Sequence, residues 1–561
     1  MLRYMLILLC LPLMLSAANH NPYEQLDTEK LSPITTHLSQ VAKRNLREGL
    51  DLLHLVDVTI EAPLRTFVAH EFLGLTQLFA HTVKQGGRII MIGAGSSGRI
   101  AVRLAAQHNT GLPVYGILAG GLDAFMRAKE GFEDSEAEGG KAVANLQIKA
   151  EDVLVLLSSS GSCKYNIGAA KLALAKHATV VSFTNVAHLP KALAELIPQG
   201  IQSVSILTGP QAIAGSTRLQ SGRSLYFALS LIFDAVENRI ASPTPDPAVQ
   251  VQARAYWHID ELAKVHGIIK KNLASIAALA HQMKVAIATG GHVTYVAMDA
   301  LPEVLIDTTE LAPTYSLLPI RHENEATREE EPIRAFLLGA NNNMEAWEML
   351  CHCTLTATES KNLSMWRLGG RNLMLAETCF SRPMLANDLF IGVTMPHESE
   401  EHHVYIDSVL QTAKNKGAAR QWLRLDGHIA SPLAATIGMK EMLNLVSNGA
   451  MLELGKIYGN LMIDVVASNQ KLTARTVSII RTILKDAHIN TSDAQILKAV
   501  EHARDYRQHH KDITLPSTAK IAVVMLVKTC GIEEAIDHLN AASHDIEVLL
   551  EQREIHSGLN H

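Results

Sequence analysis

Short apolar runs alternate with stretches of helical periodicity through the first 240 residues of the chain. Arg88-Ile89-Ile90-Met91-Ile92, Val114 to Leu118, Asp152-Val153-Leu154-Val155-Leu156-Leu157 and Val204 to Leu207 are brief and continuously apolar. That is the pattern of strands covered on both faces. Between and after them, Ile100 to Gln107, Tyr165 to Lys176 and Leu225 to Ile240 repeat their apolar positions every three or four residues, which predicts helices. Strand and helix in strict alternation predict a doubly wound, parallel α/β sheet. Further on, Val285-Ala286-Ile287-Ala288 and Leu389-Phe390-Ile391-Gly392-Val393 predict strands of a second α/β unit, and Trp422-Leu423-Arg424-Leu425 reads as another. From about Thr491 the pattern is helical again. Ile532, Ala535, Ile536 and Leu539 share one face, as in a helical cap.

The loops that follow these strands carry the chemistry. Gly93-Ala94-Gly95-Ser96-Ser97-Gly98-Arg99 lies between a strand and a helix start. Glycines let backbone approach a ligand, and the free N–H groups of a helix start attract anions. The two serine hydroxyls add donors for phosphate oxygens. The same residues spell a dinucleotide fingerprint, which wants an acid at the end of the next strand. Here that strand runs into Ala119-Gly120-Gly121-Leu122, and the first acid, Asp123, lies beyond the glycine turn. A nucleotide site and a merely structural turn remain alternatives to phosphate. Ser158-Ser159-Ser160-Gly161-Ser162 follows the third run, and Thr208-Gly209-Pro210 with Gly215-Ser216-Thr217-Arg218 follows the fourth. In a doubly wound sheet three such loops converge at one edge.

These residues resemble a known family, that of the sugar isomerase (SIS) fold which includes N-acetylmuramic acid 6-phosphate etherases and glucokinase regulatory proteins. The resemblance is carried by Gly93 to Arg99, Ile117-Leu118-Ala119-Gly120-Gly121, Glu130-Gly131-Phe132-Glu133-Asp134, Ser159-Ser160-Gly161 and Gly215 to Leu219. It continues through Leu454 to Val465, Ser468-Asn469, Lys471-Leu472 and Lys520 to Met525. The fold it implies is two SIS-type, doubly wound parallel-sheet domains in tandem with a helical C-terminal lid. The expected layout is a signal-like segment at 1–18, a ligand-binding SIS domain at 19–240 and a linker at 241–249. A second SIS domain at 250–440, family-motif helices at 441–490 and the lid at 491–561 complete it. The proline-rich Ser242 to Pro247 marks the link. In the etherases two subunits pair to complete each site, so a fused pair implies a monomeric pseudo-dimer. Thr289-Gly290-Gly291-His292 and Met395 to Glu400 stand in the second copy where the first has its serine loops, so that copy is expected to supply packing surface. A second ligand site there stays open.

The resemblance implies a sugar 6-phosphate ligand, of the N-acetylmuramic acid 6-phosphate or fructose 6-phosphate class. The implied ligand-binding residues are Gly95, Ser96, Ser97, Gly98, Arg99, Ser159, Ser160, Gly161, Ser162, Ser216, Thr217, Arg218 and Lys456. Etherase chemistry removes D-lactate from carbon 3 of the sugar after a base takes the proton at carbon 2, and needs groups that exchange protons. The family pattern places one glutamate at Glu133 and another where this chain has Gln107, whose amide cannot titrate. His108 and Glu130 are candidate substitutes. Gln211 and Gln220 are further departures, from glutamate and lysine. Two functions follow. One is a sugar-phosphate sensor resembling glucokinase regulatory protein, with a protein partner such as a sugar kinase. The other is an etherase that is slow or has an altered acid. Gln107 and the tandem layout favour the sensor, although no exposed aromatic-leucine run like that of the animal proteins is present.

Composition bounds the rest. The chain has 561 residues, 47% of them hydrophobic, a net charge of −6 and no basic run, which argues against nucleic acid. No internal stretch is long enough to span a bilayer. Met1 to Ala18 has a basic start, a short apolar core and small residues before a break, as an export signal does. A sugar phosphate ligand implies the cytoplasm instead, with Met14 as an alternative start. Beyond Cys10, the cysteines Cys163, Cys351, Cys353, Cys379 and Cys530 have no paired spacing. Cys351-His352-Cys353 reads as core rather than metal site, and neither metal nor cofactor is expected. His292, His322, His402 and His403 read as loop or capping residues. Glu323, Glu325 and Glu331 read as an exposed surface, and Glu310 carries no separate claim.

Overall fold

The computed structural model describes residues 26–126, 129, 131–242, 246–317, 333–337, 343–351, 384–465, 470–510 and 515–551. Met1 to Ala18, Glu130, Pro243 and Pro245 of the link, His322, Glu323, Glu325, Glu331, His352, Cys353, Cys379 and Ser468-Asn469 lie outside them.

Four helices open the chain: α1 (Leu38–Arg44), α2 (Leu46–Val58), α3 (Glu61–His70) and α4 (Phe72–Lys84). The first α/β unit then runs β1 (Ile89–Gly93), α5 (Gly95–His108), β2 (Val114–Leu118), α6 (Asp123–Met126), α7 (Glu136–Asn145), β3 (Val153–Leu157), α8 (Lys164–Ala175), β4 (Thr179–Thr184), α9 (Lys191–Ala194), β5 (Ile201–Ser205) and α10 (Gln220–Ala241). The strands pair in parallel in the order β2-β1-β3-β4-β5. Both central strands, β1 and β3, are buried along their whole length, which is why they read as unbroken apolar runs. The fourth expected strand ends earlier than its apolar run suggested, at Ser205, and β4 had no counterpart in the sequence reading.

The 41-residue helix α11 (Ala248–Ala288) leads to the second sheet. There β6 (Val293–Ala297), α12 (Leu301–Tyr315), β7 (Ile333–Leu337), α13 (Asn343–Cys351), β8 (Leu389–Thr394), α14 (Glu400–Asn415) and β9 (Ala419–Arg424) form a parallel sheet in the order β7-β6-β8-β9. This repeats the order of the first four strands of the first sheet. Val285 to Ala288 is therefore the last turn of a helix and not a strand. An apolar run of four residues cannot by itself distinguish the two. Thr289 to His292 is likewise the turn entering β6, and the loop that leaves β6 is Met298 to Ala300.

α15 (Pro432–Glu453) is buried through nearly its whole length and packs along α11. The hairpin β10 (Ile457–Tyr458) and β11 (Leu461–Met462) follows, then α16 (Gln470–Asp486), α17 (Asp493–His510), α18 (Thr518–Lys528) and α19 (Ile532–Ala541). Ile532, Ala535, Ile536 and Leu539 are all buried, as the periodicity of that segment predicts. One apolar core joins the opening helices, one face of each sheet and the C-terminal helices. Among the described residues, no helix is long and apolar enough to cross a membrane.

Candidate functional site

The first loop is shaped by its glycines. Gly95 has φ 52°, a left-handed conformation that costs glycine nothing and lets α5 start immediately after β1. At Gly98 a Cβ would lie 2.4 Å from Leu118 Cδ1 and 2.5 Å from the Gly93 carbonyl oxygen, so only glycine lets α5 approach the sheet. The second loop is braced by its own hydroxyls. Ser158 Oγ accepts the Gly161 N–H at 3.1 Å, and the Ser160 and Ser162 hydroxyls lie 2.8 Å apart. In the third loop the Gly215 N–H donates to the Thr28 carbonyl at 2.8 Å.

The three loops meet at one pocket of about 170 Å³. Gly95, Ser96, Ser97 and Arg99 line it from the first loop, Ser158, Ser159 and Ser160 from the second, and Gly215, Ser216, Thr217 and Arg218 from the third. Gly98, Gly161 and Ser162 shape the loops without lining it. The hydroxyls of Ser159 and Ser216 are buried and have no hydrogen-bond partner in the protein. Buried donors in that state are costly and suit a ligand oxygen.

All three of the sequence-predicted cations have partners within the protein. Arg99 is buried, with its Nε donating at 3.0 Å to both the Phe125 carbonyl and Thr309 Oγ1. Arg218 is paired at 2.8 Å with Asp307 and donates at 2.7 Å to Asn448 Oδ1, so it bolts the third loop to α12 and α15. Lys456 lies outside the pocket. Its ammonium is 2.6 Å from Asp464 and 3.0 Å from the Tyr315 carbonyl, where it ties the β10–β11 hairpin to the end of α12. Its position after a glycine is explained by the hairpin and not by a ligand. Gln211 and Gln220 are structural too: Gln211 bonds Ser221 Oγ at 2.6 Å, and Gln220 bonds the Pro210 carbonyl at 2.7 Å.

α16 contributes cations that the sequence reading did not assign, Lys471 and Arg475, one turn apart and both lining the pocket. Lys471 donates to Glu133 Oε1 at 3.1 Å. Burial would weaken its hold on the proton, but Glu133 outweighs that and keeps Lys471 above the usual lysine range. Arg475 makes two bonds, at 2.7 and 2.6 Å, to Glu29. Cys163 also lines the pocket; burial, with Glu133 nearby, pushes its thiol up to about 12, so it is no nucleophile at neutral pH.

Gln107 is not part of this pocket. It sits near the far end of α5, roughly 18 Å along the axis from Gly95 at 1.5 Å per residue. Neighbouring His108 is bonded to Glu237 at 2.7 Å and stacked on Phe233. Neither supplies a proton-transfer group here. The carboxylate that lines the pocket together with Glu133 is Glu310, on α12 of the second sheet. It is 2% exposed, and neither carboxylate oxygen has a hydrogen-bond partner.

Residues 64–185 match the family model described as SIS domain. Over 219 residues the chain is 32% identical to N-acetylmuramic acid 6-phosphate etherase of Crocosphaera subtropica, covering 37% of this chain and 67% of that one. It is 34% identical to the etherase of Thermosynechococcus vestitus (37% and 67% covered) and 31% identical to that of Yersinia pestis (37% and 70%). The chain belongs to the SIS-domain family of the N-acetylmuramic acid 6-phosphate etherases. It spans about two thirds of the length of these relatives. Among solved structures it is similar to the C-terminal domain of glucosamine-fructose-6-phosphate aminotransferase from Francisella tularensis, at 11% identity and a TM-score of 0.42, with 72% of this chain and 96% of that one covered.

Set against the family pattern, the substitution at Gln107 has a counterpart. α12 follows β6 as α5 follows β1, and Glu310 lies 13 residues past the end of β6 where Gln107 lies 14 past the end of β1. The signal for it was the repeat itself: Ile306-Asp307-Thr308-Thr309-Glu310 occupies the place in the second unit that the family glutamate holds in the first.

The crevice of the second sheet is built differently. At the ends of β6 and β8, Glu398 accepts the Asp299 N–H at 3.2 Å and the Met395 N–H at 2.8 Å. A protein carboxylate thus occupies the backbone donors at the ends of these strands. Asp299, Glu398 and His402 also lie close enough together to be considered as metal ligands. One member of that set is committed elsewhere, since Glu398 accepts these backbone N–H groups through both oxygens. His292 is buried and is itself capped: its backbone N–H donates at 2.9 Å to Asp388 Oδ1.

Proposed function

We propose that this sugar-phosphate-type SIS protein is a carbon–oxygen lyase of the N-acetylmuramic acid 6-phosphate etherase type, with Glu133 and Glu310 as its proton-transferring pair. The observation that carries the reading is Glu310. The regulatory alternative drew on Gln107 and on the tandem layout; the first ground weakens, because the pocket holds a second carboxylate, delivered by the second α/β unit.

In this reading the phosphate lies among Ser97, Ser159, Ser160, Ser216 and Thr217, with the start of α5 facing it. One carboxylate takes the proton from carbon 2 of the sugar. The bond from carbon 3 to the lactyl oxygen breaks, and the other carboxylate gives that oxygen its proton. Water then adds across the resulting double bond with the same two groups in reversed roles. Lys471 beside Glu133 supplies positive charge where negative charge develops.

The test is release of D-lactate from N-acetylmuramic acid 6-phosphate by the purified protein. Release by the wild type, abolished in Glu133→Gln and Glu310→Gln, is the expected result. Absence of release together with ligand-dependent thermal stabilisation would replace the lyase with a sensor of sugar phosphates.

A further inference from the structure

Three cations face Glu310, each from a different element. Arg99 comes from α5, Arg218 from the loop before α10 and Lys440 from α15. Arg218 is paired with the Asp307 carboxylate, while Arg99 donates to neutral groups, the Phe125 carbonyl and the Thr309 hydroxyl, and so keeps its charge for Glu310. Lys440 is different. It is 0% exposed, in a helix whose neighbouring Met439, Met442 and Leu443 are also buried, and its ammonium has no hydrogen-bond partner. Its Nζ lies 3.7 Å from Glu310 Oε2, beyond a hydrogen bond but close enough for strong attraction in a buried site.

Placing an ammonium there costs several kcal/mol in lost hydration. A methionine of similar length would pack in the same apolar groove at no such cost. The cost is met at the one place where a buried, unbonded carboxylate looks into the ligand pocket.

We propose that Lys440 is a positioning residue for Glu310: its buried ammonium is a counter-charge that keeps this carboxylate directed at the pocket. The proposal rests on the etherase reading for its consequence in catalysis, but its physical content concerns Glu310 alone. Across the pocket stand Glu133 and Lys471, which pair with each other. On α12 itself Asp307 is held by Arg218, and Tyr315 donates to Asn448. Lys440 therefore shares the charge of Glu310 with Arg99, and of the two it is the one whose charged group has no hydrogen-bond partner among the described residues.

The experiment is an infrared pH titration of protein labelled at the glutamate carboxyl carbons, with Glu310→Gln subtracted to assign the band. In Lys440→Met the Glu310 carboxyl band should titrate at higher pH than in the wild type, because its charged form has lost a buried counter-charge. Lys440→Arg should return it towards the wild-type position. The corresponding limb of the pH profile of kcat/KM for lactate release should move with the band. Affinity for the sugar phosphate should stay the same. If Lys440→Met does not fold, Lys440→Gln serves for the same titration. An unmoved band overturns the role of Lys440. A band that moves in Lys440→Met, where the wild type releases no lactate, upholds the role of Lys440 and overturns the lyase instead.

Discussion

Glu310 and Gln107 carry opposite lessons about what one residue can mean. Gln107 is the visible departure from the family pattern, yet it lies outside the pocket, and so Gln107→Glu should leave the rate of lactate release unchanged. Glu310→Gln and Glu133→Gln should each lower it by roughly two to four orders of magnitude, the usual cost of a lost acid or base. Rate measurements on the three purified variants check this at once. A rise in rate for Gln107→Glu would return the proton-transfer role to α5. Cys163 gives a second check at this scale. With its thiol at about 12, it should react with alkylating reagents at neutral pH far more slowly than a free thiol, as mass spectrometry would show.

Elements decide which cations reach the ligand. Lys456 stands in the most family-specific stretch of the sequence, but the β10–β11 hairpin turns it towards Asp464 and the end of α12. Lys471 and Arg475 instead share the face of α16 that closes the pocket. Lys471→Met should therefore weaken sugar-phosphate binding in calorimetry, while Lys456→Met should leave affinity intact and lower the melting temperature. The reverse pattern would mean that the hairpin and α16 exchange roles when ligand binds. Glu398 makes a comparable point for the second sheet. Because its carboxylate already fills the backbone donors at the ends of β6 and β8, calorimetry should find one equivalent of sugar phosphate per chain and not two.

At the scale of the molecule, buried polar contacts lock the two sheets together. Arg218 reaches Asp307, and Arg103 and Tyr226 both reach Glu303, at 2.8, 3.0 and 3.1 Å. Asp307→Ala leaves Arg218 a buried charge without its partner, which should cost about 3–5 kcal/mol in denaturant unfolding. Stability should also fall at both ends of the pH scale. Burial alone would raise Asp464, but Lys456 and Lys520 bring it from 3.8 down to about 2. A lowered carboxyl adds stability above its unfolded value, so on the order of 2 kcal/mol should be lost as pH falls from about 4 to about 2. His266 behaves in the opposite sense: burial would lower it, but Glu441 and Glu61 raise it from 6.5 to about 9. A raised histidine adds stability below its unfolded value, so that share should disappear between about pH 6.5 and 9. Chemical denaturation across this range reads both, and a flat alkaline side would show that His266 does not carry its proton there.

The local order of the chain is written in its residues. β1 and β3 are buried on both faces and so must be apolar throughout, and Gly95 and Gly98 must be glycine because a turn and a close contact demand it. The loops Ser96-Ser97, Ser159-Ser160 and Ser216-Thr217 were legible as one site, since strand order alone brings them to a single edge. Glu133 was legible as well. The sequence could not separate a helix end from a strand at Val285 to Ala288, where four apolar residues satisfy either period. Nor could it show that Arg99, Arg218 and Lys456 are bound to protein groups, or that Glu310, far along the chain, enters the pocket while Gln107 does not. Those facts depend on how α12 and α15 pack against the first sheet. Packing between distant elements sets which side chains share a cavity, and no local pattern encodes that geometry.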